Sequence, residues 1–224
     1  LILFNSSISK NVFTRFIDIH KDKYKIIQIT NKMIKDNRKI INYTPLRNRK
    51  IILTFLGGDN KIKGYFNLIN VLNEIKKNNQ NWELRIYGTD ICDNSLDLKY
   101  FKFKGKYKHS MLKEIFEETS VLLMPSKCKE TFGFVALEAL SYGIPVILSD
   151  KVGIKDLIHN NQNGIIYNDT SNDIYLQETL INIINNPNIL YNLHKNIINM
   201  VVNFDISYHV MQIIKYYNDL IKFK

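Results

Sequence analysis

Two carboxylates, Glu130 and Glu138, stand in the run Glu130-Thr131-Phe132-Gly133-Phe134-Val135-Ala136-Leu137-Glu138. An apolar run, Val121-Leu122-Leu123-Met124, and a Pro125-Ser126 turn precede it. Gly143-Ile144-Pro145-Val146 follows. The pattern reads as a buried strand, a short loop carrying an acid, a helix opening on small residues, and a second strand. A helix start offers unpaired N–H groups and a positive dipole end, which suits phosphate. Thr131 is the expected N-cap, and Gly133 lets a ligand approach the main chain. Glu130 would then face sugar hydroxyls, and Glu138 would lie about 6–12 Å further along the helix. By pattern alone the same acids fit an exposed helix residue and a favourable charge at a helix start.

A second loop, Leu56-Gly57-Gly58-Asp59-Asn60-Lys61-Ile62-Lys63-Gly64, also follows a β-rich run. Its glycines permit close backbone approach, and Lys61 and Lys63 supply point charges for a diphosphate. It matches neither G-x-G-x-x-G nor the Walker A pattern, which removes the main support for NAD binding or ATP hydrolysis. A Lys-Gly pair after a strand also fits a plain turn. In Gly105-Lys106-Tyr107 the aromatic ring suits a nucleobase, or equally a half-buried Tyr in a turn. The five histidines, His20, His109, His159, His194 and His209, show no ligand spacing, and none is assigned to catalysis.

Alternating elements must position these loops. Strands are expected at residues 50–56, 82–87, 100–103, 120–124, 145–148 and 164–167. Helices are expected at 65–77, after a Ser110 cap, at 132–142, and as a short piece at 154–159. Three more follow near 173–184, 188–202 and 206–222. Strands spaced by helices predict an α/β fold: a Rossmann-like parallel sheet with helices on both faces. Ligands then bind outside the carboxyl ends of the strands. The loops to inspect are 57–64, 88–93, 105–109 and 125–133. Residues 1–48 are expected to depart from the alternation, with a strand at 1–4, a helix at 9–17, a strand at 25–29 and a basic loop at 31–44.

The 224 residues suffice for one or two domains with a substantial core. A net charge of +10 favours anionic partners, although a surface rich in Lys is mostly a solvated face. Charge alone raises a nucleic-acid reading, but zinc-finger, RNA-binding aromatic and basic-helix motifs are missing from the sequence. The two cysteines, Cys92 and Cys128, suggest neither a disulfide framework nor a zinc site, so a reducing cytosol is expected. No apolar run reaches membrane-spanning length. A chain beginning at Leu1, without Met or a basic leader, is expected to have residues upstream.

Met124-Pro125-Ser126, then Glu130 through Ala139, then Gly143-Ile144-Pro145-Val146, with Gly153 and Asn163-Gly164 beyond, resemble a known pattern. It is that of the C-terminal domain of retaining GT-B glycosyltransferases, the glycosyl transferases group 1 or glycosyltransferase family 4 type. The resemblance covers about residues 50–168, and its E-x7-E spacing is quite specific. It implies the C-terminal half of a GT-B fold and transfer of a sugar from a nucleoside diphosphate sugar, with retention of configuration. It also implies roles. Glu130 holds the donor sugar and Glu138 the ribose, while backbone amides of Thr131, Phe132, Gly133, Phe134 and Val135 lie near sugar and diphosphate. Lys63, beside the loop of Gly57 and Gly58, neutralises the leaving diphosphate, and Tyr107 lies by the base. Glu130 and Lys63 are the catalytic candidates. No metal or other cofactor is expected, because cations and the helix end replace it.

The sequence departs from the family by offering Gly57-Gly58 where an Arg usually stands before the Lys. Lys61 cannot reproduce the guanidinium fork. The resemblance further implies three parts: residues 1–48 as the end of an acceptor domain plus linker, 49–203 as the nucleotide-sugar-binding domain, and 204–224 as a helix packing back towards the acceptor domain. Expected partners are a UDP- or GDP-sugar and a glycan or lipid-linked acceptor, with peripheral contact at the inner membrane surface of a cytoplasmic protein. A nucleotide-sugar-binding module without catalysis is the alternative reading, and a basic nucleic-acid-binding protein a weaker one.

Overall fold

The computed structural model describes residues 1–47 and 50–222. The expected boundary between residues 48 and 49 lies outside the described residues. Six parallel strands form the main sheet: β4 (Lys50–Phe55), β5 (Trp82–Ile86), β6 (Phe101–Phe103), β7 (Val121–Met124), β8 (Val146–Ser149) and β9 (Ile165–Tyr167). A short strand, β3 (Leu46–Arg47), pairs antiparallel with the start of β4. β4, β7 and β8 are apolar along nearly their whole length and buried, as strands covered on both faces must be. Their crossovers are α2 (Tyr65–Lys76), α3 (Leu112–Glu117) and α4 (Phe134–Ser141); α5 (Ile174–Asn185) and α6 (Asn188–Asn199) follow β9. In α2 the buried Leu68, Ile69, Leu72 and Ile75 recur at helical spacing and face the sheet.

Strand order is β6-β5-β4-β7-β8-β9. The chain builds outward from β4 in one direction, then restarts at β7 on the other side of β4. The loops after β4 and β7 therefore diverge and leave a crevice at the sheet's topological switch point, where ligands of such folds bind. The α/β expectation holds, and most elements fall within one or two residues of their expected bounds. Ser110 does not cap the helix after β6: it sits inside a one-turn 3₁₀ segment, His109–Met111, and Met111 precedes α3.

The first residues form the expected strand, helix and strand, but they do not depart from the alternation as expected. They continue the strand–helix alternation: β1 (Ile2–Phe4), α1 (Ser7–Phe13) and β2 (Tyr24–Ile26) form a small parallel β-α-β unit apart from the main sheet. Polar contacts fasten residues 1–40 to the rest. The Ser6 hydroxyl bonds the Thr131 carbonyl, and the Ser7 amide and hydroxyl bond the Asp156 carboxylate at 2.5 Å each. The Arg38 guanidinium donates to the carbonyls of Ile197 and Met200 at 3.0 and 2.7 Å. At the far end, α7 (Ile206–Lys222) returns to this segment, where His209 Nδ1 meets the Gln28 carbonyl at 2.8 Å. Among the described residues no helix is long and apolar enough to cross a membrane.

Candidate functional site

A cavity of about 270 Å³ occupies the switch point. Phe55, Leu56 and Gly57 line it from the end of β4, and Met124 and Ser126 from the end of β7. Lys63 and Glu130 face each other across it, with Nζ 2.7 Å from Oε2. Glu130 is the more enclosed partner, its side chain 10% exposed against 38% for Lys63. The Ser126 hydroxyl donates to the other oxygen of Glu130, so each carboxylate oxygen has a partner.

The backbone fixes both residues. Lys63 ends a one-turn 3₁₀ segment, Lys61–Lys63, which the Asn60 side chain caps. The Lys127 amide donates to the Ile62 carbonyl at 2.9 Å and ties this turn to the β7 loop. Glu130 lies on a short bridge beside Val152: its amide donates to the Lys151 carbonyl, and its carbonyl accepts from Gly153. Below the rim, Lys127 Nζ meets Asp169 and Asp173 at 2.5 Å each, and Lys151 joins Asp169 from the loop after β8. These ion pairs yoke the loops after β7, β8 and β9 into one rigid rim.

Thr131 is not the N-cap of α4. That place belongs to Gly133, with a left-handed φ of 105°, and no side-chain bond caps the helix. The sequence favours Thr there by side-chain chemistry, but the chain must turn sharply from the Glu130 bridge into the helix. A Cβ at Gly133 would sit 2.7 Å from Val152 Cγ1. Phe134 and Val135, the first residues of α4, line the cavity, so a helix start does face it.

The expected site residues divide into three groups. Lys63, Glu130, Gly57, Gly133, Phe134 and Val135 come together around the cavity. Thr131 and Phe132 line a second hollow of about 240 Å³, which shares Lys63, Glu130, Gly133 and Phe134 with the first. Gly58, Tyr107 and Glu138 line neither. The Gly58 amide is turned onto the Tyr87 carbonyl at 2.8 Å, and the Tyr107 ring packs edge-on against Tyr87 at 6.1 Å. Ser126 and His109 were without a site role in the sequence. Ser126 was legible only as part of a turn, and the contacts of His109 arise from a loop folding over α4.

Glu138 Oε1 lies 3.4 Å from His109 Nε2. Burial pushes the Glu138 carboxyl up to about 7. The same environment raises Tyr107 and Tyr142, mainly by burial and then by the Glu138 charge. The folded chain thus keeps a proton on Glu138 that the unfolded chain releases near 4.5, so stability falls as pH rises from about 4.5 to 7. Solvent at the site reduces the penalty, leaving about 2 kcal/mol. Urea midpoints at pH 5 and pH 8 should show this loss in the parent and not in Glu138→Gln. Equal pH slopes in the two proteins would disprove the assignment.

The sequence model of the glycosyl transferases group 1 family matches residues 36–200. A 41.2 kDa protein of the cps region of Klebsiella pneumoniae is 29% identical over 168 residues, covering 73% of this chain and 44% of its own length. The capsular polysaccharide biosynthesis glycosyltransferase CapM of Staphylococcus aureus is 25% identical over 147 residues, covering 62% and 38%. The chain therefore spans less than half the length of these curated relatives. Among solved structures, HepE of Anabaena in complex with UDP-glucose superposes with a TM-score of 0.73 at 18% identity. That match covers 98% of this chain and 64% of HepE, and it shows a shared fold.

Proposed function

The chain belongs to the glycosyl transferases group 1 family, and from that premise we propose that it is the donor-binding part of a retaining glycosyltransferase. Its donor is a nucleoside diphosphate sugar, and its acceptor a glycan or a lipid-linked glycan at a membrane surface. The observation that carries this reading is the Lys63–Glu130 pair, set between two loops at the switch point and beside the start of α4. Relatives from a cps region and from capsular polysaccharide biosynthesis favour an envelope polysaccharide as the product. The division into an acceptor-domain remnant (1–48), a donor domain (49–203) and a returning helix (204–224) belongs to the same proposal.

The chemistry follows from the charges. The bond between the anomeric carbon and the diphosphate oxygen breaks, and its electron pair leaves with the nucleoside diphosphate. Lys63 and the amides of Phe134 and Val135 stabilise that growing negative charge without a metal. Glu130 accepts hydrogen bonds from hydroxyls of the sugar. The acceptor oxygen bonds the same face of the anomeric carbon, and its proton passes to the departing phosphate. Glu138 and Tyr107 would hold ribose and base one turn further along α4. One observation favours a binding module without catalysis: Gly57-Gly58 stands where the family carries Arg, leaving Lys63 as the cation in the cavity lining.

Calorimetry with UDP, GDP, UDP-glucose and GDP-mannose tests the proposal. Micromolar to millimolar binding is expected for one base and its sugar. Absence of binding by all four at millimolar concentration would sink it. Release of sugar from the bound donor would exclude the purely binding module.

A further inference from the structure

The second hollow contains a group that the first does not. Asn5, between β1 and α1, lines it together with Ile29, Lys63, Glu130 and Thr131. Asn5 Oδ1 is buried and has no hydrogen-bond partner among the described residues. A buried amide atom without a partner destabilises the fold, and such groups are rare in native proteins. The strand end that carries Asn5 is not loose. Ser6, its neighbour, caps α1 and bonds the Thr131 carbonyl, and Ser7 is held twice by Asp156. Gly153 packs under the same junction: a Cβ there would lie 2.2 Å from the Thr131 carbonyl oxygen and 2.7 Å from Ser6 Oγ. The fold thus fixes Asn5 in place without satisfying it.

We propose that Asn5 reads the transferred sugar: its side-chain amide bonds a hydroxyl of that sugar beside the Lys63–Glu130 pair. The inference rests on the donor reading above and adds a residue from the N-terminal unit to the donor site. Three features select this ligand. The hollow shares Lys63 and Glu130 with the cavity that takes the nucleotide, so it adjoins the place where diphosphate meets sugar. Its walls mix the apolar Ile29, Phe132 and Phe134 with polar ends, which suits a sugar ring. Asn5 Oδ1 is enclosed, so the amide nitrogen is the end left for the hollow, and a sugar hydroxyl accepts its N–H.

Matched ligand pairs test this: UDP against UDP-glucose and GDP against GDP-mannose, titrated into the parent, Asn5→Leu and Asn5→Ala. Both variants should bind the bare nucleoside diphosphate within about twofold of the parent. Affinity for the nucleotide sugar should fall by about 3- to 10-fold, as loss of one neutral hydrogen bond requires. Asn5→Leu, which removes the unpaired polar atom and keeps its volume, should also raise Tm by a few degrees. Parent-like affinity for the nucleotide sugar in both variants overturns the inference. So does an equal loss for nucleotide and nucleotide sugar, which would make Asn5 a structural residue. If Asn5→Leu fails to fold, the Asn5→Ala comparison decides alone. A parent that binds none of the four ligands refutes the donor reading itself, a result distinct from either.

Discussion

Lys63→Met should lower donor turnover by about 10²- to 10³-fold and leave the chain folded. Methionine keeps most of the length of the stem and removes the charge. On the proposed reading that charge meets the departing diphosphate, where one preorganised electrostatic contact contributes on this scale. The fold does not depend on the amine: Lys63 is over a third exposed, and its turn is held by the Asn60 cap and the Ile62–Lys127 bond. Glu130 keeps the Ser126 hydroxyl but loses its cation, so a cost of about 1–2 kcal/mol is expected in urea unfolding. Lys63→Arg separates charge from shape, since the guanidinium restores the charge in a planar fork. Transfer and donor hydrolysis by the two variants are the measurements. Parent-like rates in Lys63→Met would remove Lys63 from the chemistry.

Gly64→Ala should destabilise the protein by about 3–5 kcal/mol, the range of a severe backbone substitution. Gly64 has φ of 82°, where an L side chain is strained. Its added Cβ would also stand 1.9 Å from the Pro125 carbonyl oxygen, a backbone atom that cannot swing aside. The loops after β4 and β7 meet at this point, with Lys63 on one and Ser126 on the other. Relief of the clash must therefore move the two walls of the cavity apart. Chemical denaturation and nucleotide affinity should fall together. A loss of less than 1 kcal/mol would mean that the loops are not in van der Waals register there.

The sheet was legible because its signals are local. Apolar runs such as Val121–Met124 and the helical spacing of Leu68, Leu72 and Ile75 survive in any context. The Glu130 loop was legible through its frame of Pro125-Ser126 and Gly133, and Lys63 through the glycine beside it. Caps were less so. Thr131 and Ser110 have the right side chains for capping, but a tertiary bridge at Glu130 and a 3₁₀ turn at His109 decided the backbone instead. Relations across the chain could not be read at all. Periodicity does not reveal that Glu138 meets His109, that Lys127 gathers Asp169 and Asp173, or that Ser6 reaches Thr131. The N-terminal strand, helix and strand were placed, but their closure into one parallel unit was not, because strands of three residues carry little signal.

The bonds of Ser7 to Asp156 span 149 positions, and that of Thr30 to the Phe204 carbonyl spans 174. During synthesis at about 5–20 residues per second, Ser7 waits roughly 8–30 s for its partner to emerge. Over that interval the β1–β2 pair goes without its bonds to Asp156 and to the Phe204 carbonyl. The segment of this chain made first is thus bonded to the loops of the main sheet only after β7 has been made.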